Sequence, residues 1–274
     1  MVRKFNGLDF FDGEVVLSES AKRYHSPELI ARPYEGNAVD LTVFVSCYNE
    51  SKLIVNTLNT LREALKVAGH SYEIIVIDDV SKDDSRDKVR AYIAEHPDMN
   101  IVLRCNAKNK GFAQNYFDAA FIGRGKYMRL VCGDNSEPVE SQIKVFSAIG
   151  QADIIIPYYV TSEGKAWYRM LISNTYTGVI NLITGYRLHY YNGLAVHLRY
   201  NVLRWHSNTH GFGFQADLLT QLLDLGFTYK EVPIIMVEKR EGRSNAITVK
   251  NMLSVSHSIS EIIIRRISHR LYRR

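Results

Sequence analysis

The run LTVFVSCYN (41–49) is apolar and rich in β-branched and aromatic residues until its polar end, the pattern of a buried strand. Helical spacing follows, and further runs of both kinds alternate along the chain. The further strand-like runs are YEIIVIDD (72–79), NIVLRCN (100–106), YMRLVCGD (127–134), ADIIIPYY (152–159) and YKEVPIIMVEK (229–239). The helix-like segments are 51–68, 85–95, 111–121, 138–149 and 214–225, and residues 165–205 are expected to form helical or interfacial segments. This alternation predicts an α/β domain with a mostly parallel central sheet flanked by helices.

Polar residues follow four of these strands, at the edge where α/β sheets bind their ligands. The clusters are Tyr48-Asn49-Glu50, Asp78-Asp79, Asn106 to Gly111, and Asp134-Asn135. The chain has neither GxGxxG after the first strand nor GxxxxGK[ST]. It therefore lacks the main sequence motifs of dinucleotide-binding and P-loop enzymes. A nucleotide diphosphate would then need acids that hold a divalent cation.

Composition and charge exclude few classes of protein. The chain has 274 residues, a hydrophobic fraction of 46%, a formal net charge of +5 and three cysteines. The odd, sparse cysteine set predicts a reducing compartment. The N-terminal residues lack the apolar core of a signal peptide, and no apolar run reaches the roughly 18 residues of a membrane-spanning helix. The C-terminal arginines lack the aromatic interleaving of a nucleic-acid binder, so we expect no nucleic-acid partner.

Several motifs together resemble one enzyme family. They are VSCYNE (45–50), IIVIDDVSKDDS (74–85), NKGFAQNYFDAA (109–120), LVCGDNSEP (130–138), GFGFQADLL (211–219), EVPI (231–234) and KREGRSN (239–245). In order and spacing they resemble inverting family 2 glycosyltransferases with the GT-A fold, nearest to the branch that transfers sugars to polyprenyl phosphates. The resemblance covers a transferase domain (41–245) with a donor half (41–138) and an acceptor half (160–245). Weak periodicity marks residues 1–40 as an N-terminal extension, and an amphipathic pattern predicts a basic C-terminal helix (246–274).

The resemblance implies a donor site in the first half. Tyr48 matches a residue beside the nucleotide base, with Glu50 in the same cluster, and Asp79 matches an acid that accepts a hydrogen bond from the base. Gly111 and Asn115 match positions near the ribose and phosphates. Without a ligand role, Asp79 would cap a turn, and Gly111 and Asn115 would form a tight turn and a polar helix face.

Asp134 matches the second acid of the family's DxD motif, so the resemblance implies that it is catalytic and holds Mn²⁺ or Mg²⁺ on the diphosphate. The first acid is replaced by Cys132, and a thiol is a poor ligand for a hard cation. Diphosphate oxygens and water can fill most of the coordination shell. If the replacement abolishes activity instead, the chain is a nucleotide-binding pseudoenzyme. Glu137 is a candidate accessory to this metal site, but a surface acid at a helix start is the expectation.

The acceptor half carries Asp217, which matches an acid near the acceptor and is the candidate base for a hydroxyl acceptor. A phosphate acceptor is already anionic and needs no base. Lys239 and Arg243 match the region that clamps phosphates, with a solvated basic loop as the alternative.

Residues 251–274 have apolar side chains at three- to four-residue steps and arginines towards the end, including Arg265 and Arg266. This pattern predicts a basic amphipathic helix on a membrane surface. The alternatives are a helix packed on the domain and a homodimer contact.

The resulting prediction is a peripheral enzyme on the cytoplasmic side of a membrane, which transfers sugar from a UDP- or GDP-sugar to a polyprenyl phosphate with inversion. The alternative acceptor is a glycan or lipid hydroxyl in surface-polysaccharide assembly.

Overall fold

A computed structural model describes residues 13–22, 38–163, 167–204, 213–238 and 249–272. Its strands are β1 (Gly13–Leu17), β2 (Val39–Cys47), β3 (Tyr72–Asp78), β4 (Ile101–Asn106), β5 (Gly125–Cys132), β6 (Ile154–Glu163), β7 (Val196–Leu198) and β8 (Tyr229–Val237). Its helices are α1 (Glu19–Lys22), α2 (Ile54–Ala68), α3 (Ser85–Glu95), α4 (Phe112–Ile122), α5 (Val139–Ser147), α6 (Trp167–Thr184), α7 (Arg199–Arg204), α8 (Phe214–Asp224) and α9 (Val249–Tyr272).

The strands form one eight-stranded sheet in the order β1-β4-β3-β2-β5-β7-β6-β8. Parallel pairing joins β4, β3, β2 and β5, and it also joins β6 to β8. β1 and β7 run antiparallel to their neighbours. The predicted α/β class with a mostly parallel sheet is confirmed, and β2 lies between β3 and β5, where the polar loops were expected to converge.

Alternate residues of the central strands face opposite layers of helices, as the strand period of two requires. Val43 and Val45 belong to a core shared with α2, α3 and α5. Phe44 belongs to a second core that includes residues of α4, α6, α8 and α9. Both faces of the sheet are therefore covered, which explains why its strands read as continuous apolar runs.

Two strands were not predicted. β1 lies within the extension 1–40 and pairs with β4, with Gly13 opposite Asn106. β7 is three residues long and lies in the segment 165–205, for which only helical or interfacial structure was expected. Both are short, and their residues carry no clear alternation.

The C-terminal segment is helical, as predicted, and α9 packs against α8 and α6. Among the described residues, none of the helices is both long enough and apolar enough to span a bilayer.

His197, in β7, gives the fold a specific sensitivity to acid. It is 3% exposed, and burial lowers its pKa to about 4. The folded chain keeps the ring neutral, whereas the unfolded chain binds a proton below pH ~6.5. We therefore expect unfolding free energy to fall by about 1.4 kcal/mol per pH unit between pH ~6.5 and ~4, up to about 3 kcal/mol, and His197→Gln to remove this slope.

Urea titrations at several pH values measure the effect, with His257→Gln as a control because His257 is largely exposed. Equal pH slopes for the wild type and His197→Gln would contradict the assignment.

Candidate active site

The loops after β2 and β3 are hydrogen-bonded to each other at the rim of the sheet. The backbone N of Asn49 donates to Ser81 Oγ at 2.9 Å, and Asn49 Oδ1 accepts from the Lys82 N at 2.8 Å. Glu50 N donates to Ser85 Oγ at 2.9 Å. Sequence predicted that these polar clusters would share one edge, and the structure brings them together as a single bonded unit.

Asp79 organises the loop that follows β4. Its Oδ1 accepts from Asn106 Nδ2 and the Lys110 N, both at 2.8 Å, and its Oδ2 accepts from the Gly111 N at 2.9 Å. Asn106 Nδ2 also donates to Asn115 Oδ1 at 2.8 Å. A carboxylate offers about four acceptor positions, so Asp79 retains capacity for about one further donor. Asp79 therefore holds the loop and keeps an acceptor position for a further donor.

The residues around Asp79 include the ion pair of a buried acid and two backbone conformations with positive φ. Asp78 is fully buried and accepts from Arg86 Nε at 2.5 Å, so it serves the β3–α3 connection. Val80 has φ +70°, a conformation that costs a β-branched residue energy and tends to persist at functional sites. Gly111 has φ +84°, which only glycine adopts readily, and it begins α4.

The other residues predicted to bind the nucleotide-sugar donor differ in solvent exposure. Tyr48 is 42% exposed at the rim, so its ring is available for stacking. Glu50 and Asn115 are 5% and 3% exposed. Asn115 is already bonded to Asn106, and Glu50 lies against Gly133. Of these three, Tyr48 is the one with an open face.

Hydrogen bonds attach the Cys132-Gly133-Asp134 loop to β2 and α2. Gly133 N donates to the Ser46 carbonyl at 3.0 Å, and Thr57 Oγ1 donates to the Gly133 carbonyl at 2.9 Å. A Cβ at position 133 would lie 2.6 Å from the Ser46 carbonyl oxygen, so only glycine fits. The loop therefore presents Asp134 from a fixed position, with its Oδ1 accepting from the Ser136 N at 3.2 Å.

Electrostatics distinguish Cys132 and Asp134, the two side chains at the positions of the DxD acids. Burial raises the pKa of Asp134, and the charge of Glu238 raises it further against hydrogen bonds from Ser136. Burial, followed by the charges of Asp134 and Glu137, holds the pKa of the Cys132 thiol well above its usual range. Cys132 stays a neutral thiol, and the Asp134 carboxylate would be stabilised by a nearby cation.

Asp217 is buried and ion-paired rather than open to the rim. It is 5% exposed, and Arg265 Nη1 of α9 binds its Oδ1. Arg265 Nη2 also donates to Thr220 Oγ1 at 2.6 Å. One turn away, Arg266 Nη2 pairs with Asp224 Oδ1 at 2.7 Å. The expectation that Arg265 and Arg266 form an outward cationic face is therefore wrong, because both neutralise buried acids of α8.

Lys239 and Arg243, predicted to clamp phosphates, lie outside the described residues.

A family model described as Glycosyl transferase family 2 matches residues 42–204, more than half of the chain. The chain belongs to glycosyltransferase family 2.

The chain is similar in sequence to transferases that act on polyprenyl phosphates, and it covers different shares of their lengths. It is 27% identical over 218 residues to an undecaprenyl-phosphate mannosyltransferase of Micrococcus luteus, covering 73% of this chain and 84% of the relative. It is 30% identical over 123 residues to a dolichyl-phosphate beta-glucosyltransferase of Dictyostelium discoideum, covering 43% of this chain and only 38% of that relative.

Solved structures confirm the GT-A-type fold. Glucosyl-3-phosphoglycerate synthase from Mycobacterium tuberculosis, in complex with Mn²⁺, UDP-glucose and phosphoglyceric acid, superposes with a TM-score of 0.62 at 14% identity. The alignment covers 89% of this chain and 82% of the synthase. At this identity the likeness establishes the fold alone.

The side chains around Asp134 suit Mn²⁺ or Mg²⁺ as ligands only in part. Within the described ranges, no group of three or more His, Cys, Asp or Glu side chains could hold a metal ion. Asp134 and the nearby Glu238 offer carboxylate oxygens, which these cations prefer, whereas Cys132 offers a neutral thiol. The transferase can thus hold such a cation through carboxylates if the diphosphate completes the coordination shell.

Glu137 corrects a second expectation. It is 3% exposed rather than a surface acid, and its Oε2 pairs with Arg129 Nη2 at 2.7 Å. Gln142 Nε2 donates to the same oxygen at 2.9 Å. A sequence signal existed, because Arg129 lies inside an apolar strand and a buried cation requires a buried acid.

Glu238 and Arg169 were not singled out from the sequence. The Val237 N donates to the Ser136 carbonyl at 2.8 Å, which places the end of β8 beside the Asp134 loop. Arg169 Nη1, from α6, lies 2.6 Å from both carboxylate oxygens of Glu238. Their separation along the chain gives no spacing pattern that could have revealed the pair.

Proposed function

We propose that this glycosyltransferase moves a sugar from a UDP- or GDP-sugar to a polyprenyl phosphate, with inversion at the anomeric carbon. Family membership supports the reaction class. The relatives named for dolichyl-phosphate and undecaprenyl-phosphate transfer support the acceptor.

The ion pair between Asp217 and Arg265 is the observation that carries the choice of acceptor. A hydroxyl acceptor needs a base that can take up its proton, and Asp217 is the candidate from the sequence. Taking up a proton would break its buried pair with Arg265 and leave the guanidinium without its countercharge. A phosphate oxygen is already a nucleophile, so this arrangement favours a phosphate acceptor.

The donor half supports nucleotide-sugar binding through its own residues. Tyr48 offers an open ring for the base, and Asp79 keeps the loop up to Gly111 in place while retaining an acceptor position. Asp134 is proposed to hold the cation on the diphosphate. The chemistry that Mn²⁺ or Mg²⁺ supplies is stabilisation of negative charge on the departing nucleoside diphosphate.

The acceptor would be reached at a membrane surface on the cytoplasmic side. Apolar side chains of α9 are exposed, including Ile264 at 58% and Ile267 at 52%, and Trp167 and Leu171 of α6 are exposed at 72% and 58%. Exposed clusters of this kind are typical of interfacial helices. This apolar surface, rather than a cationic face, supports peripheral association.

Nucleotide binding tests the donor site first. We expect either UDP or GDP, and not CMP, to raise the melting temperature only with Mn²⁺, and Asp134→Ala to abolish the rise. A ligand at 100 times its dissociation constant adds about 2.7 kcal/mol, or several degrees. Differential scanning fluorimetry measures this, with Asp98→Ala as the control because Asp98 is exposed at the opposite end of the sheet. A wild type unaffected by every nucleotide would refute the proposed donor site, and binding without turnover would identify a pseudoenzyme.

Asp217→Asn separates the two acceptor classes. With a polyprenyl phosphate acceptor we expect a partial loss of transfer, because no base is removed but Arg265 loses its countercharge. With a hydroxyl acceptor, loss would be near total. Radiolabelled-sugar transfer to both acceptor types measures the difference, and Arg265→Gln, which breaks the same pair, controls for packing. Abolition of transfer to the phosphate acceptor, with an unchanged melting temperature, would contradict this division.

Vesicle sedimentation tests the surface contact. Ile264→Ser/Ile267→Ser should reduce binding to anionic vesicles by at least about tenfold, since each buried CH₂ contributes about 0.8 kcal/mol. Val67→Ser, on exposed apolar surface of α2, is the control and should bind as the wild type does. Equal binding of all three proteins would exclude α9 as the contact.

A further inference from the structure

The Asp134 loop lacks the carboxylate that its family resemblance implies at position 132. Cys132 stands there instead, and a thiol is a poor ligand for a hard cation. One aspartate leaves the diphosphate to supply nearly all the charge around a divalent cation. A second acidic side chain close to Asp134 would restore the missing charge.

Such a side chain lies at the end of β8. The Ser141 side chain bonds to both the N and the carbonyl of Ile235 at 3.0 Å, and the Val237 N donates to the Ser136 carbonyl at 2.8 Å. These bonds hold the end of β8 against α5 and the 133–136 loop. Glu238, the next residue, therefore lies beside the 133–136 loop that carries Asp134.

In the structure Glu238 forms an ion pair with Arg169. Arg169 Nη1 contacts both of its carboxylate oxygens at 2.6 Å, and the two side chains are 22% and 20% exposed. An ion pair that is partly solvated contributes little to stability and can exchange its partners. A divalent cation is a stronger competitor for the carboxylate than one guanidinium.

We propose that Glu238 supplies the second carboxylate for the divalent cation that a nucleoside diphosphate brings to Asp134, in place of the acid that Cys132 replaces. Cation binding exchanges the partners. Glu238 leaves Arg169 for the cation, and the freed guanidinium faces the negatively charged substrate. The inference rests on the proposed function, because the cation arrives with the donor.

The test uses the full chain and follows Mn²⁺ affinity, with UDP or GDP present, by the loss of the free-Mn²⁺ electron paramagnetic resonance signal. Glu238→Gln should weaken Mn²⁺ binding by about tenfold or more, since changes that act only indirectly on a metal already cost about 10–100-fold. Cys132→Asp should restore affinity in the Glu238→Gln background, because it returns the missing carboxylate to the other side of the cation.

Two controls separate a ligand role from a structural one. Arg169→Gln breaks the same ion pair but leaves the carboxylate, so Mn²⁺ affinity should be unchanged or tighter. Glu140→Gln removes one exposed negative charge from the start of α5 and should have no effect. Melting temperatures confirm that each variant is folded.

The outcomes divide clearly. Wild-type affinity in Glu238→Gln, with binding lost in Asp134→Ala, would overturn this inference and leave the proposed function standing. Equal weakening by Arg169→Gln, or no rescue by Cys132→Asp, would also overturn it. A wild type that binds Mn²⁺ with neither UDP nor GDP would overturn the inference and the proposed function together.

Discussion

The buried ion pair between Arg129 and Glu137 is the constraint on which the Asp134 loop depends. Arg129 is fully buried within β5, and Glu137 lies just before α5. An unpaired cation there would cost several kcal/mol, so the two side chains must meet. Their contact joins the two ends of the loop that carries Asp134. Arg129 Nε also donates to the Leu194 carbonyl at 3.2 Å, which fixes the approach to β7 by the same charge.

Other carboxylates at or near the rim have comparable structural duties. Asp79 binds the loop after β4, Asp78 binds Arg86, and Asp217 binds the C-terminal helix. Each holds a chain segment by accepting hydrogen bonds from the donors of that segment. Asp134 differs, because burial and a neighbouring negative charge both disfavour its ionised form. Protein donors thus hold these carboxylates in the frame, whereas a cation would favour the ionised form of Asp134, which burial and Glu238 disfavour.

Sequence predicted the parts of this architecture that depend on local pattern. The apolar runs of β2 to β5 are buried on both faces, and the polar residues at their ends share a rim because parallel strands end together. What sequence missed depends on pairing between distant residues. Nothing in the spacing of Asp217 and Arg265, or of Glu238 and Arg169, indicates contact, and the amphipathic pattern of α9 could not tell an inward arginine from an outward one. β1 and β7 were missed because short strands acquire their structure from their neighbours.

β1 also has a consequence for the order in which the protein is built. β1 is synthesised before β4, with which it pairs, so Gly13 can reach its partner Asn106 only after β4 has been made. Closing a connection of that length is entropically slow, so β1 is expected to pair with β4 late in folding. During translation β4 therefore stands as an open edge of the growing sheet, able to accept a strand from another chain. Pairing of β1 covers the edge of β4 and ends this exposure. This short strand therefore limits aggregation of the chain during synthesis.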